Sequence, residues 1–165
     1  MAYDNRNGFN NRNNQSNYGN RPGNAQPRET VKPASPMPLP KDFVDAAEKV
    51  MLELKTEKDE DYKKSVISTS KIRNLMSMVM DIYNVEILRN DQTLLEESIQ
   101  SIAMARVRMI YEAGREQAVK DFLKKAKLLE YIKDIGNSRA KLIAFTQYME
   151  ALVAYHRFYI GGKEG

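Results

Sequence analysis

The side chains that could carry out catalysis are few in this sequence. His156 is the only histidine, and cysteine is absent, so the chain offers no thiol nucleophile and no cysteine-bound metal. His156 lies at helical spacing in an apolar row with Leu152 and Tyr159, which favours a structural, hydrogen-bonded ring over proton transfer. No HExxH, GxxxxGK[ST] or GxGxxG motif is present. We therefore predict no catalytic residue, no metal site and no cofactor.

The arginines say more about function than the candidate catalytic residues do. Three of them interrupt the mostly apolar segment SIAMARVRMIYEAGR, residues 101–115. On a helix, Arg106 lies in an otherwise apolar row, whereas Arg108 and Arg115 share a second face. An unpaired guanidinium in apolar surroundings is costly. Two interpretations of Arg106 follow: an ion pair with an acid such as Glu150, or a guanidinium that reaches out of a groove to a phosphate.

Further basic side chains recur at helical spacing or in the first turn of a predicted helix. They are Lys120, Lys124 and Lys127 in one row, Lys71 and Arg73 at one helix start, and Arg139 and Lys141 at another. Cations in a first turn oppose the helix dipole, so helix stability alone would favour acids there. A phosphate held by the helix N-terminus and these side chains would explain both placements, although each alone is typical of a solvated face.

The charge is distributed unevenly along the chain. The formal net charge is +4, from 26 Lys and Arg against 22 Asp and Glu. Residues 41–100 contain 9 basic and 13 acidic side chains, whereas residues 101–165 contain 12 and 7. A basic C-terminal half suggests an anionic partner such as nucleic acid, although plain solubility would also account for it.

The elements that must position these side chains are predicted to be helices. All six prolines lie before residue 41, and the first 28 residues are rich in Asn, Gly and Arg, so we expect residues 1–40 to be a disordered tail. Residues 41–165 are predicted to form an all-α domain, a bundle of about five helices. No apolar run is long enough to span a membrane, so we expect a cytoplasmic protein that makes no membrane contact.

Apolar periodicity, together with capping and helix-ending residues, predicts the helix boundaries. The predicted segments are 42–54, 71–89, 91–113, 116–127, a turn or two at 128–135, and a last helix that ends at 159. The charged run KTEKDEDYKK after Leu54 is interpreted as a solvated connector. Gly114 is placed to end the third helix, and hydroxyl caps are available before the second and the last.

Three blocks of this sequence resemble one known family. They are TSKIRNLMSMV (69–79), YEAGR (111–115) and YMEALVAYHRFY (148–159), which is followed closely by GGK. With these blocks in the same order, residues 41–165 resemble the small subunit of type III-A CRISPR interference complexes, the Csm complexes. Ile160 before the glycine pair and the Asn-rich tail depart from the family pattern.

The resemblance implies a helical bundle, present in several copies stacked head to tail beside the backbone subunits, that helps to form the channel for the guide RNA and target RNA duplex. The implied partners are both RNAs, the backbone and large subunits, and other copies of the chain. Catalysis in the family belongs to those other subunits. The family's basic channel surface corresponds here to Lys71, Arg73, Arg106, Arg108, Arg115 and Arg157.

We therefore predict a non-catalytic subunit that contacts RNA backbone without sequence specificity. Because base pairing reads the sequence in a guide-directed complex, Lys and Arg suffice, and we expect no exposed aromatic side chain in the folded domain. The alternative is a helical adaptor that binds only proteins, with its basic half against an acidic partner.

Overall fold

The computed structural model describes residues 32–61 and 65–161, and this part of the chain contains six α-helices and no β-strand. The helices are α1 (Phe43–Glu60), α2 (Thr69–Glu86), α3 (Glu96–Arg115), α4 (Gln117–Lys125), α5 (Leu128–Asp134) and α6 (Arg139–Tyr159). The prediction of an all-α fold is confirmed for these residues. The helix beyond the predicted five is α5, which the sequence suggests only as a turn or two.

Helix α1 is longer than the sequence predicts. The interpretation of the charged run as a connector is wrong for residues 55–60, which continue the helix to Glu60. Lys55 pairs with Asp59 one turn later at 3.4 Å, and Lys and Glu are good helix formers. A charged run with this spacing is therefore compatible with an exposed helix end. Residues 62–64, in the same run, lie outside the described residues.

Helices α2 and α3 run antiparallel. The Lys71 ammonium at the start of α2 lies 2.6 Å from Glu112, near the end of α3. At the other end, the Leu95 backbone N–H, just before α3, donates to Glu86 near the end of α2 (2.9 Å). The two helices therefore contact each other along their length, with charged groups at both ends.

Helix α6 also runs antiparallel to α2, because each of its ends contacts the opposite end of that helix. The Arg139 Nε at its start donates to the carbonyl of Glu86 (2.7 Å), and the His156 Nε2 near its end donates to the carbonyl of Ile67 (2.7 Å). The Ser138 hydroxyl accepts from the Lys141 backbone N–H and caps the helix, as the hydroxyl pattern predicts.

The hydrophobic core forms around α6, which contacts α1, α2 and α5. Its buried side chains are Leu142, Phe145, Thr146, Tyr148, Met149, Leu152 and His156. The Tyr148 hydroxyl donates to the carbonyl of Ala126 (3.0 Å), and burial raises the pKa of this phenol well above its ordinary value. The core thus satisfies a polar group of its largest side chain internally.

The boundaries of α3 differ from the prediction because of contacts that are distant in sequence. Residues 90–95 are not helical, since Leu94 donates to the carbonyl of Asn137 (2.9 Å) and Arg139 donates to that of Gln92 (3.0 Å). The prediction that Gly114 ends the helix is also wrong: α3 continues through it to Arg115. The chain turns at the extended backbone of the next residue.

The residues just before α1 pack on the domain. The Met37 backbone N–H donates to the carbonyl of Glu130 (3.2 Å), and the Lys133 ammonium donates to that of Ala34 (2.6 Å). Leu39 packs against the core. Residues 33–40 belong to the same compact unit as the six helices, since α5 supplies partners for this segment. The rest of the predicted tail, residues 1–31, lies outside the described residues.

Candidate nucleic-acid interface

Basic side chains lie around the N-terminal end of α2. The Ser68 hydroxyl caps this helix by accepting from the Lys71 backbone N–H (3.3 Å). The Lys71 ammonium reaches the end of α3, where it lies 2.6 Å from Glu112 Oε2 and 3.6 Å from Glu116 Oε2. Arg73 is exposed. The helix start therefore carries one ion-paired cation and one exposed cation.

Glu112 lies between two cations. Its Oε1 is 4.0 Å from Arg115 Nη1, and the Arg115 guanidinium lies 5.5 Å from the centre of the Tyr111 ring. The hydrogen bond from Lys71 is the main cause that lowers the pKa of the Glu112 carboxyl, and the same bond raises the pKa of Lys71. Both groups are charged at neutral pH, so this contact is an ion pair.

The C-terminal end of α6 approaches the same end of α2. A Cβ added to Gly161 would lie 3.3 Å from Thr69 Oγ1 and 3.4 Å from Arg157 Cδ, so Gly161 packs between these two residues. The Arg157 guanidinium donates to the Gly161 carbonyl (3.3 Å). Three helices therefore bring Lys71, Arg115 and Arg157 to one end of the bundle.

Two lysines of the predicted row, Lys120 and Lys124, lie on α4, whereas Lys127 follows it, because the helix ends at Lys125 and not at residue 127 as predicted. The buried face of α4 consists of Ala118, Val119, Phe122 and Leu123. Lys120, Lys124 and Lys127 are exposed, and none of the three is ion-paired with an acid among the described residues. Lys125, which the sequence analysis did not select, pairs with Glu57 on α1. The row is thus a set of solvated positive charges.

Arg139 and Lys141 have partners within the protein. Arg139 donates to the carbonyls of Glu86 (2.7 Å) and Ile87 (3.0 Å), and Lys141 lies 3.0 Å from Asp134 Oδ2. A cation beside the carbonyl end of α2 is favourable, so the neighbouring helix gives the placement of Arg139 an explanation other than the phosphate that the sequence analysis suggested. These two residues lie at the opposite end of α2 from Lys71, about 22 Å away along the helix.

The two arginines in the middle of α3 differ in exposure. Arg106 is half-buried, and no ion pair with Glu150 or another described acid is found for it. Arg108 is exposed and lines a groove of about 570 Å³ between α2 and α3, together with Val85 and Met104. The groove is also lined by the acids Asp81 and Glu97, so it combines apolar side chains with charges of both signs.

Among the described residues of the folded domain, two aromatic side chains are exposed, which the sequence analysis did not expect. Tyr111 on α3 is 62% exposed and Phe158 on α6 is 76% exposed. The expectation of a folded surface without exposed aromatic rings is therefore wrong. Tyr111 and Phe158 lie next to their helices' ends, where the bundle does not cover them.

A family model described as Csm2 Type III-A matches residues 40–162. The chain belongs to the Csm2 Type III-A family. The CRISPR system Cms protein Csm2 of Streptococcus thermophilus is 40% identical over 122 residues, which are 74% of this chain and 93% of that protein. The CRISPR system Cms protein Csm2 of Mycobacterium tuberculosis H37Rv is 38% identical over 92 residues, 56% of this chain and 74% of that protein. The family resemblance stated from the sequence is confirmed.

The three blocks that carry the family resemblance meet in space. Lys71 from the first block pairs with Glu112 from the second, and the third block ends at Tyr159, two residues before Gly161, which packs on Thr69. Sequence reasoning selected the cations at this place and missed the acids that contact them. Glu112 and Lys71 are 41 residues apart, and no local spacing rule links them.

His156 occupies the interior position that its apolar row predicts. The ring is 1% exposed and donates from Nε2 to the Ile67 carbonyl, which joins α6 to the segment before α2. No group of three or more His, Asp or Glu side chains in the described part of the chain could hold a metal ion. No helix there is long and apolar enough to cross a membrane.

Proposed function

We propose that this protein is a non-catalytic small subunit of a type III-A CRISPR effector complex and that it binds the backbone of the guide and target RNA without sequence specificity. Membership of the Csm2 Type III-A family supports the assignment to the complex. The observation that carries the RNA contact is the exposed row of Lys120, Lys124 and Lys127. Because these lysines have no acidic partner among the described residues, phosphates can approach them without displacing a protein carboxylate.

The lysine row suits backbone recognition for a physical reason. Ammonium groups are point charges that bind phosphate oxygens from many directions, and phosphate contacts carry no sequence information. Base pairing between guide and target supplies the sequence specificity in such complexes. A subunit that presents solvated cations on a rigid helix therefore contributes affinity for any paired sequence.

The proposal also includes protein contacts, with copies of the chain stacked head to tail and with the backbone and large subunits. Exposed apolar side chains along α2 and α3 support it: Val85, Leu88, Met104 and Val107 are each at least half exposed. Residues 41–100 are net acidic and residues 101–165 net basic, which favours a contact between unlike ends of two copies. The protein-only adaptor would use the same apolar side chains.

Salt dependence distinguishes the two functions. We expect the variant Lys120→Gln, Lys124→Gln, Lys127→Gln to bind a single-stranded RNA probe with a log–log salt slope that is shallower by about 2.1, since each lost phosphate contact removes about 0.7. Gln is also a good helix former, so α4 should persist. Fluorescence anisotropy of the full chain at several salt concentrations measures the slope.

A matched control removes the same charge from another surface. Lys32, Lys41 and Lys49 are exposed before and on α1, and their replacement by Gln also changes the net charge by three. The control should leave the slope nearly unchanged. An equal effect of both triple variants would indicate only a general attraction, and no effect of either would favour the adaptor.

A further inference from the structure

The acids at the N-terminal end of α2 occupy the positions that RNA phosphates would need. Glu112 Oε2 lies 2.6 Å from the Lys71 ammonium, and its Oε1 lies 4.0 Å from the Arg115 guanidinium. Glu116 Oε2 lies 3.6 Å from the same ammonium. Phosphate oxygens bind ammonium and guanidinium groups through the same charge-assisted hydrogen bonds. A phosphate and these carboxylates therefore compete for the same cations.

The ion pairs are accessible to such a competitor. The side chains of Lys71, Glu112 and Glu116 are 34%, 23% and 39% exposed. Water and dissolved anions can reach partly exposed pairs of this kind, so they exchange partners at low cost. Lys120, Lys124 and Lys127 differ, because none of them is paired with a described acid.

We propose that Glu112, assisted by Glu116, limits RNA binding at this end of the bundle by competing with phosphate for Lys71 and Arg115. The inference rests on the proposed RNA-binding function. Glu112 makes the surface bind free RNA weakly, because a phosphate must first displace a carboxylate that is attached to the same protein. RNA held nearby by other subunits is present at a high effective concentration and displaces it. Glu112 is thus a specificity-determining residue that favours RNA already in the complex.

The test is a double-mutant cycle on the full chain with a single-stranded RNA probe. Glu112→Gln should tighten binding about fivefold at 0.1 M salt and steepen the log–log slope by about 0.7, because Lys71 gains one phosphate contact. In the Lys71→Gln background the same change should tighten binding less than twofold. Glu53→Gln on α1 is the matched control, since it removes one exposed carboxylate elsewhere and should leave affinity unchanged.

Two results would overturn the inference. If Glu112→Gln weakens binding, the carboxylate positions Lys71 and Arg115 for RNA instead of competing with it. If it tightens binding no more than Glu53→Gln, or equally with and without Lys71, the competition is absent. Glu116→Gln, at the longer distance, should give a smaller gain and serves as a second variant if Glu112→Gln does not fold.

The controls separate this inference from the proposed function. If the unmodified chain binds RNA and the triple lysine variant has a shallower salt slope, but Glu112→Gln does not tighten RNA binding, only the proposed competition by Glu112 is wrong. If no variant shows salt-dependent RNA binding, the proposed function and this inference both fail. Circular dichroism of each variant confirms that it is folded.

Discussion

Helix α2 makes a charged contact at each of its ends, and the two contacts differ in burial. At the C-terminal end, Glu86 is 0% exposed and accepts from the Leu95 backbone N–H (2.9 Å) and from the Arg89 guanidinium (2.8 Å). At the N-terminal end, the partly exposed Lys71 donates to Glu112 (2.6 Å). The carboxylate of the first contact is closed to water while its partner Arg89 is 24% exposed, whereas both side chains of the second contact are partly exposed.

The surroundings of Glu86 explain why a charge is tolerated in the interior. Burial alone would raise the pKa of this carboxyl, because desolvation disfavours the ionised form. Hydrogen bonds from Ser98, from the Leu95 backbone and from Arg89 more than offset that effect and lower the pKa below its ordinary value. Water reaches the 0% exposed Glu86 carboxyl less easily than it reaches Glu112, which is 23% exposed beside Lys71. Burial therefore separates a structural ion pair from an exchangeable one.

The largest expected effect is the loss of the buried contact. Glu86→Ala should lower the free energy of unfolding by about 2 kcal/mol, because it leaves the Leu95 N–H without its buried acceptor and removes one of the two carboxylates that pair with Arg89. Urea unfolding measures the change. Glu53→Ala, on the exposed face of α1, should stay within about 0.5 kcal/mol. A loss below about 1 kcal/mol for Glu86→Ala would contradict the structural assignment.

Acid should weaken the same contact. The pKa of Glu86 is lowered in the folded protein from an ordinary value of 4.5, so its stabilising contribution is fully present above that value. The contribution is lost as the pH falls through the lower, folded pKa. We expect the stability of the unmodified chain to decrease as the pH falls below 4.5, and that of Glu86→Gln to decrease less.

The contribution of Glu112 to stability is also lost as the pH falls, since the pKa of its carboxyl is lowered too. Its exposure to water reduces the contribution, so Glu112→Gln should flatten the pH dependence less than Glu86→Gln does. Unfolding curves at a series of pH values compare the two variants. Equal flattening, or none for Glu86→Gln, would remove the distinction between the two ends of α2.

The buried acid could have been recognised from the sequence, whereas its donors could not. Glu86 continues the apolar row of Ile72, Leu75, Val79 and Ile82 at spacings of three and four residues, which places it on the buried face. The hydroxyl caps were predictable for the same reason, because a cap depends on residues three positions apart. Leu95 and Ser98 follow a segment whose Leu94 N–H donates to the Asn137 carbonyl, and no local pattern contains that contact.

For the cations of the candidate interface, too, the sequence predicts positions but not partners that are distant along the chain. Their positions on helix faces follow from periodicity, and Lys120 and Lys124 are exposed as a row, as the spacing indicates. Which cations are already paired depends on neighbours that are distant in sequence, as for Lys71 with Glu112 and Arg139 with the carbonyls at the end of α2. The sequence therefore predicted which helix faces carry Lys and Arg, but not which of these side chains are paired with acids or carbonyls of the same protein.

The smallest expected effect concerns the exposed contact and its response to salt. Lys71→Gln should lower the melting temperature less than Glu86→Ala does, because Glu112 can still pair with Arg115 and be hydrated by water after the change. In 1 M salt, where the screening length is about 3 Å, the difference between Lys71→Gln and the unmodified chain should nearly disappear. The loss caused by Glu86→Ala should persist there, since buried pairs are screened much less. If Lys71→Gln destabilised the protein as much as Glu86→Ala and did so equally at low and high salt, the contact with Glu112 would be structural, and its proposed exchange for phosphate would be wrong.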